Sequence, residues 1–542
     1  MTTQNLPTNC ANAYDYLIVG GGTAGCVIAS RLAEYLPKKR ILLIESGPTD
    51  VGDDRILVLK DRIQTIGTDL DYDYGIVPQP NGNSHIRQSR AKVLGGCSSH
   101  NDMISFRTTE YDAYLWQKLG CKGWTFDLFN RLLDNLRTTV RLPHPRDQSQ
   151  MCKEWIESAR SALNVDRVQD FNHQIASKTG LQEGVGWCNV SYDPDTGHRN
   201  SASIAYLHPI FRGNEKRPNL TVLTDAWVSK VHIEHGTATG IDIITKSGSR
   251  HTLHQKKEII LCAGAIDTPR LLLLSGVGPR DHLESVGIPV KADIPGVGEN
   301  LMDHPLTTML YELNRPAPTA TVANSDTALF LRSKPFNHNG DDGVIPDVMV
   351  HIFTIPFVDD LRRLGYEIPE AERTFHFMPL IPRPKSVGKL YLKSNNPQEK
   401  PALDFQYFTD KEGYDASILV EGIKACRKIA QQEPFKSWIK REIAPGPELT
   451  TDAELDEFAR QASGTVYHPT STTKMGNIET DRMAVVDPEL RVRGIKGLRI
   501  ADAGVFPTML SVNPMLTVLA VGERCAELVA SEAGWKRDMA RL

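Results

Sequence analysis

The sequence predicts an α/β protein of at least two domains, the first of them a dinucleotide-binding unit of Rossmann type. Three observations carry this. The chain has 542 residues, more than one ordinary hydrophobic core organises. An apolar run with strand character, 16–19, meets Gly20, Gly22 and Gly25 at G-x-G-x-x-G spacing, and Ala24, Val27, Ile28, Leu32 and Leu36 then recur at helical spacing. A second strand over 40–44 ends in Glu45, about 20 residues past the last glycine, where a carboxylate can hold a ribose hydroxyl.

The elements follow in order. Strand, glycine turn and helix bring backbone N–H groups and a helix start at Thr23 and Ala24 to one point, where a pyrophosphate can sit. The run Arg90-Ala91-Lys92-Val93-Leu94-Gly95-Gly96-Cys97-Ser98-Ser99-His100-Asn101-Asp102 is a loop whose glycines and small hydroxyl residues let backbone approach a ligand closely. Residues 110–165 read as mostly helical, and 170–200, rich in Gly, Asn and Asp, as irregular. From Asn219 the pattern has period two, predicting a meander through 220–222, 228–233 and 241–243 with turns at Gly236 and Gly248. A buried strand over 258–264 follows; Thr268 then caps a helix with Pro269 at its first position and Gly276 at its end. Residues 306–465 mix strands such as 348–353 with helices near 415–432 and 452–462, predicting a second, substrate-facing domain. The chain returns through a strand over 498–502 and a helix over 514–532, with Asn513 as N-cap and Pro514 at the first helical position.

Composition narrows the function classes. A hydrophobic content of 40%, a charged content of 24% and a net charge of −4 make no electrostatic case for nucleic acid or an anionic membrane. No run approaches the ~18 apolar residues of a membrane span. The polar stretch 1–12 lacks the features of a secretory signal, and nine scattered cysteines read as reduced thiols, so an intracellular protein is expected. The final Ala540-Arg541-Leu542 is close to an S-K-L peroxisomal address. There is no G-x-S-x-G elbow, Walker loop, H-E-x-x-H or paired C-x-x-C. His232/His235 and His251/His254 are split across the faces of a strand, so no metal site is expected.

Over nearly its whole length the chain resembles the glucose–methanol–choline (GMC) oxidoreductases. Residues 264–278, Gly-Ala-Ile-Asp-Thr-Pro-Arg-Leu-Leu-Leu-Leu-Ser-Gly-Val-Gly, fit the second signature of that family. The 90–101 loop fits the first, except at Cys97 and His100, where it resembles the choline oxidase branch. The resemblance implies FAD rather than NAD, held by a discontinuous Rossmann-type domain (13–160, 198–305 and 466–535). It also implies an α+β substrate domain, an antiparallel sheet flanked by helices (161–197 and 306–465). By the same resemblance His100 is attached covalently to the flavin 8α-methyl carbon, Asp502 with the adjoining Ala503 contacts FAD, and the Val228 backbone meets the adenine.

Ser463-Gly464-Thr465-Val466-Tyr467-His468-Pro469 resembles the active-site strand of the family, with His468 as catalytic histidine. Alcohol oxidation needs a group that takes the hydroxyl proton as hydride leaves carbon, and imidazole suits that task. Ser511-Val512-Asn513-Pro514-Met515 matches the partner position. Asn holds a substrate oxygen but is a poor proton acceptor, which leaves the acid–base work to His468, and the helix start behind it favours negative charge on the flavin. His351 matches a further active-site histidine that would orient substrate.

The departures concern substrate. Leu306 follows Asp303-His304-Pro305 where the choline oxidase branch has a glutamate, residues 319–331 contain no Trp, and Asp102 replaces a serine. A trimethylammonium group needs a carboxylate and aromatic faces to offset its lost hydration, so a neutral, more apolar alcohol or aldehyde is expected. The expected reaction is oxidation of a primary alcohol, on to the acid through the aldehyde hydrate, with O2 as acceptor, H2O2 as product and a homodimer as assembly. The alternatives are an acceptor-dependent dehydrogenase, a lyase that keeps FAD without redox chemistry, and a nucleotide-binding regulatory protein, the last at odds with the His468/Asn513 pair.

Overall fold

Tyr14–Val19 is the middle strand of a five-stranded parallel sheet ordered Leu498–Ile500, Gln255–Leu261, Tyr14–Val19, Ile41–Ile44, Leu220–Leu223. The computed structural model describes residues 14–177, 179–333, 345–355 and 357–537; Ala540-Arg541-Leu542 lies outside them. Leu17, Ile18, Ile41, Leu42, Leu43, Ile259, Ile260 and Leu261 are fully buried, which is why these strands read as continuous apolar runs rather than alternating ones. Helices Thr23–Tyr35 and Met515–Glu532 pack on each other beside the sheet. The carboxyl ends of four adjacent strands deliver Gly20, Glu45, Cys262 and Asp502 to one edge, the place where open α/β sheets bind ligands.

The second large sheet has nine strands. Its main path runs Ile439–Ala444, Met309–Leu313, Thr374–Leu380, Val348–Phe353, Thr327–Leu331, Gly184–Trp187, Arg167–Val168, with Pro305–Thr307 and Ser463–Thr465 paired at one corner. All pairings are antiparallel except that of Arg167–Val168 with Gly184–Trp187. Helix Tyr414–Ala430 covers Thr374–Leu380 and Val348–Phe353, and Asp452–Gln461 packs behind it. No helix among the described residues is long and apolar enough to cross a membrane.

Three sequence expectations are corrected. The stretch expected to be irregular contains helix Phe171–Ala176, capped by the Asp170 carboxylate, and strand Gly184–Trp187 within the large sheet. Its two glycines and single β-branched residue hide the strand from propensity. Leu220–Leu223 pairs with Ile41–Ile44 in the parallel sheet; the meander comprises only Ala226–Glu234, Thr237–Thr245 and Arg250–Leu253. Finally, helix Gly264–Leu274 begins four residues before Thr268, so Pro269 lies inside it. The proline cannot donate to Ala265 O, and the Thr472 hydroxyl donates to that carbonyl instead, at 2.6 Å.

Candidate active site

A cavity of about 850 Å³ runs between the carboxyl edge of the parallel sheet and the corner of the antiparallel one. Gly20, Gly22, Thr23 and Ala24 wall one end. Gly20 sits at φ +101°, and a Cβ there would lie 2.5 Å from Cys262 O; Gly96 sits at φ +53°, and its Cβ would lie 2.6 Å from Gly22 Cα. A side chain at either position would collide with the backbone packed against it and force the wall apart. Gly25, Gly95 and Ser99 stand behind the wall: Gly25 packs on Gly20 O, the Gly95 N–H donates to Gly21 O at 2.7 Å, and the Ser99 hydroxyl donates to Leu94 O at 2.8 Å.

The Glu45 carboxylate accepts from Gly21 N and Gly47 N, each at 2.8 Å, and burial raises its pKa. Asp502 accepts from Gly264 N at 2.9 Å, Gly504 N at 2.8 Å and the Thr268 hydroxyl at 2.6 Å, tying the second signature to the returning strand. Val228, Asn101, Ala503 and Pro514 also reach the cavity. So does His100, whose Nε2 lies 2.9 Å from Ser89 Oγ while its buried Nδ1 has no partner. Burial pulls its pKa down to about 4.

At the other end, pairing of Pro305–Thr307 with Ser463–Thr465 brings His304 beside the segment that carries His468. Their Nδ1 atoms are 2.8 Å apart. The Asp303 carboxylate accepts from the His468 N–H at 2.9 Å and from Gln88, Tyr407 and Thr465 at 2.5–2.7 Å. Tyr467 sits at φ +62°, an unusual setting for a bulky residue, with its carbonyl clasped by Arg90 at 2.5 Å; backbone held in this way turns the next side chain into the cavity. His468 lines the cavity and is partly exposed there, and burial with its cationic and histidine neighbours holds its pKa well below 6.5.

Asn513 does not cap the following helix. Helix Met515–Glu532 starts without a side-chain cap, with Pro514 at the cap position, and Asn513 is buried in the cavity wall near His351. Neither ring nitrogen of His351 has a partner of good hydrogen-bond geometry, although the Thr327 backbone and the Asn513 side chain lie close enough to favour its charged form; burial prevails and pulls its pKa down to about 4. Asp102 forms an ion pair with Arg62, a buried guanidinium. Leu306, Phe353 and Phe357 add apolar wall nearby.

Asp303, His304 and Arg62 were not singled out as site residues from sequence. A histidine before a proline was visible at 304, but its partner is 164 residues away. The cavity fits FAD: a glycine-walled cleft at a helix start, a buried carboxylate beside it, an uncapped helix start at the far end, and a buried imidazole nitrogen with no protein partner.

Residues 14–306 match an N-terminal GMC oxidoreductase family model, and residues 384–522 match a C-terminal one. The chain is 37% identical to choline oxidase of Arthrobacter globiformis, with 98% of this chain and 97% of that one covered. It is 32% identical to an acceptor-dependent alcohol dehydrogenase of Pseudomonas putida, over the same shares of the two chains. Pyridoxine 4-oxidase from Mesorbium loti superposes with a TM-score of 0.84 at 26% identity, covering 95% of this chain and 98% of that one. Joined to the glycine-walled cleft and the histidine corner, these matches show that the chain belongs to the GMC oxidoreductases, the FAD-dependent enzymes that act on CH–OH groups.

Proposed function

We propose that the protein oxidises a neutral primary alcohol to the aldehyde, and on to the acid through the aldehyde hydrate, with O2 accepting the electrons and H2O2 as coproduct. The observation that carries this reading is the meeting of His468 and Asn513 in one cavity with the glycine turn. FAD, when bound, supplies N5 as the hydride acceptor. His468 takes the hydroxyl proton, Asn513 holds the alcohol oxygen, and His351, on the same cavity wall, orients the substrate. Gly20, Gly22, Thr23, Ala24 and the helix start serve the pyrophosphate, Glu45 the ribose and Val228 the adenine. Gly96, Asn101, Asp502, Ala503 and Pro514 line the rest of the cofactor path, with Gly25, Gly95 and Ser99 shaping it. His100 is the proposed covalent attachment point, supported by its place on the cavity wall. Acid precipitation of the purified protein tests that bond: flavin colour stays with the pellet, and colour left entirely in the supernatant excludes it. Residues 13–160, 198–305 and 466–535 form the proposed cofactor domain, and 161–197 with 306–465 the substrate domain.

The neutral substrate is supported by charge. Arg62 compensates Asp102, so that carboxylate offers no net negative charge to an ammonium group, and Leu306 adds none. An alcohol panel read by oxygen uptake and peroxide tests the proposal. Neutral primary alcohols are expected to lead; choline turned over as efficiently as any of them would exclude the neutral class. Likeness to an acceptor-dependent alcohol dehydrogenase favours a second reading in which a quinone or protein takes the electrons. Substrate-dependent bleaching without oxygen uptake would select it.

A further inference from the structure

The corner that joins the two histidines determines which nitrogen of His468 is basic. A contact of 2.8 Å between two Nδ1 atoms requires a proton on one and a lone pair on the other. The far side of His304 decides which. Its Nε2 lies 2.8 Å from Pro382 O and 2.9 Å from Leu510 O, and carbonyl oxygens only accept, so Nε2 carries a proton. His304 is 2% exposed, and burial outweighs the two carbonyls and the neighbouring Asp303 carboxylate, which favour its charged form, so the imidazole stays neutral. Its Nδ1 is then a lone pair, and His468 must donate from Nδ1. A neutral imidazole has one N–H, so Nε2 of His468, which takes no hydrogen bond from the described residues, is left bare.

We infer that His304 is a positioning residue that locks His468 as the Nδ1–H tautomer and presents Nε2 to the alcohol as its proton acceptor. This rests on the proposed role of His468 and adds the part that gives the ring its direction. The arrangement follows the logic of a Ser-His-Asp triad, in which the partner at one nitrogen fixes the tautomer, but the partner here is a neutral imidazole. The charged and titratable groups around the pair agree with it: His304, Arg90 and His351 disfavour charge on His468, while Asp303 favours charge on His304 less strongly than burial opposes it and meets His468 at its backbone N–H, bonded to neither ring. When the alcohol O–H bond breaks, its proton goes to Nε2 and His468 becomes an imidazolium. The Nδ1–H of that imidazolium still points at the His304 lone pair, and the opposite N–H of His304 points at two carbonyl oxygens, so the charge is dispersed along this chain with no carboxylate hydrogen-bonded to either ring.

The test is nitrogen NMR of the holoenzyme with labelled histidine, His468 being assigned by loss of its signals in His468→Gln. The expected spectrum has the proton of His468 on Nδ1. His304→Leu should move it, wholly or in part, to Nε2, and should slow anaerobic flavin reduction about 10²–10⁴-fold with substrate affinity nearly unchanged. His304→Asn restores an acceptor at the Nδ1 position and should recover both the Nδ1–H signal and most of the rate. An Nε2–H signal in the wild type, or the same tautomer in wild type and His304→Leu, overturns the inference. If His304→Leu does not fold, the wild-type and His304→Asn spectra still decide. An unimpaired His468→Gln enzyme would instead overturn the base role of His468, and the spectrum would still report the tautomer.

Discussion

Three buried histidines and the partly exposed His468 form two contrasting pairs. His304 and His468 meet through their ring nitrogens, and His304 also reaches two carbonyls. His351 and His376 lie on the adjacent strands Val348–Phe353 and Thr374–Leu380, and none of their four ring nitrogens has a partner of good geometry. Burial pulls His351 down to about 4 and His376 to about 3. Both pairs are therefore neutral near pH 7, but for different purposes. Burial alone makes an imidazole neutral without choosing which nitrogen acts. Hydrogen-bond partners make that choice, and only the first pair has them.

The largest expected effect separates the pairs directly. His468→Gln should slow anaerobic flavin reduction about 10²–10⁴-fold with flavin content unchanged, while His376→Leu leaves the rate near wild type; equal losses would break the contrast. Acid should come next. The unpartnered histidines protonate near 6.5 when unfolded but only near 4 and 3 when folded, so between those limits the unfolded state binds more protons and stability falls as pH falls. Each contributes a slope of up to about 1.4 kcal/mol per pH unit. Denaturant titrations from pH 7 to 4 should show the loss, and His376→Leu should flatten it.

Two smaller effects sharpen the same distinction between satisfied and orphaned polar groups. Thr472→Val removes the hydroxyl that donates to the carbonyl freed by Pro269 and should cost about 1–3 kcal/mol in equilibrium unfolding. His376→Leu removes a ring that has no hydrogen bond to lose, and at pH 7 should change stability by no more than about 1 kcal/mol, with stabilisation the expected sign. A larger loss in the second variant than in the first would reverse the reading of both sites.

Legibility in the sequence tracked how local each interaction is. The glycine turn and Glu45 lie within 32 residues of the first described strand's start at Tyr14, and strand, turn, helix and carboxylate all stand where the spacing predicts. His468 and Asn513 were legible through motif resemblance. Strand Gly184–Trp187 was not, because its pairing with Thr327–Leu331 outweighs the poor strand propensity of its glycines. Pro269 suits a helix start by local rules, but it lies inside the helix because Thr472, 207 residues from Ala265, satisfies the carbonyl that an internal proline leaves free. Asn513 suits both a helix cap and a substrate partner by residue type and position; in the fold it caps nothing and turns into the cavity wall.

Composition and order of residues were sufficient for the Rossmann-type unit, the family and the choice of His468 as the proposed proton acceptor, since each depends on short-range geometry or on residue types at set spacing. The direction of His468 was not contained there. It arises when one strand register sets residue 304 against the segment after residue 465, and when the carbonyls of Pro382 and Leu510 close on the far side of the His304 ring. A tautomer is decided by whichever donors and acceptors surround a ring, and four distant stretches of chain supply them only once folded.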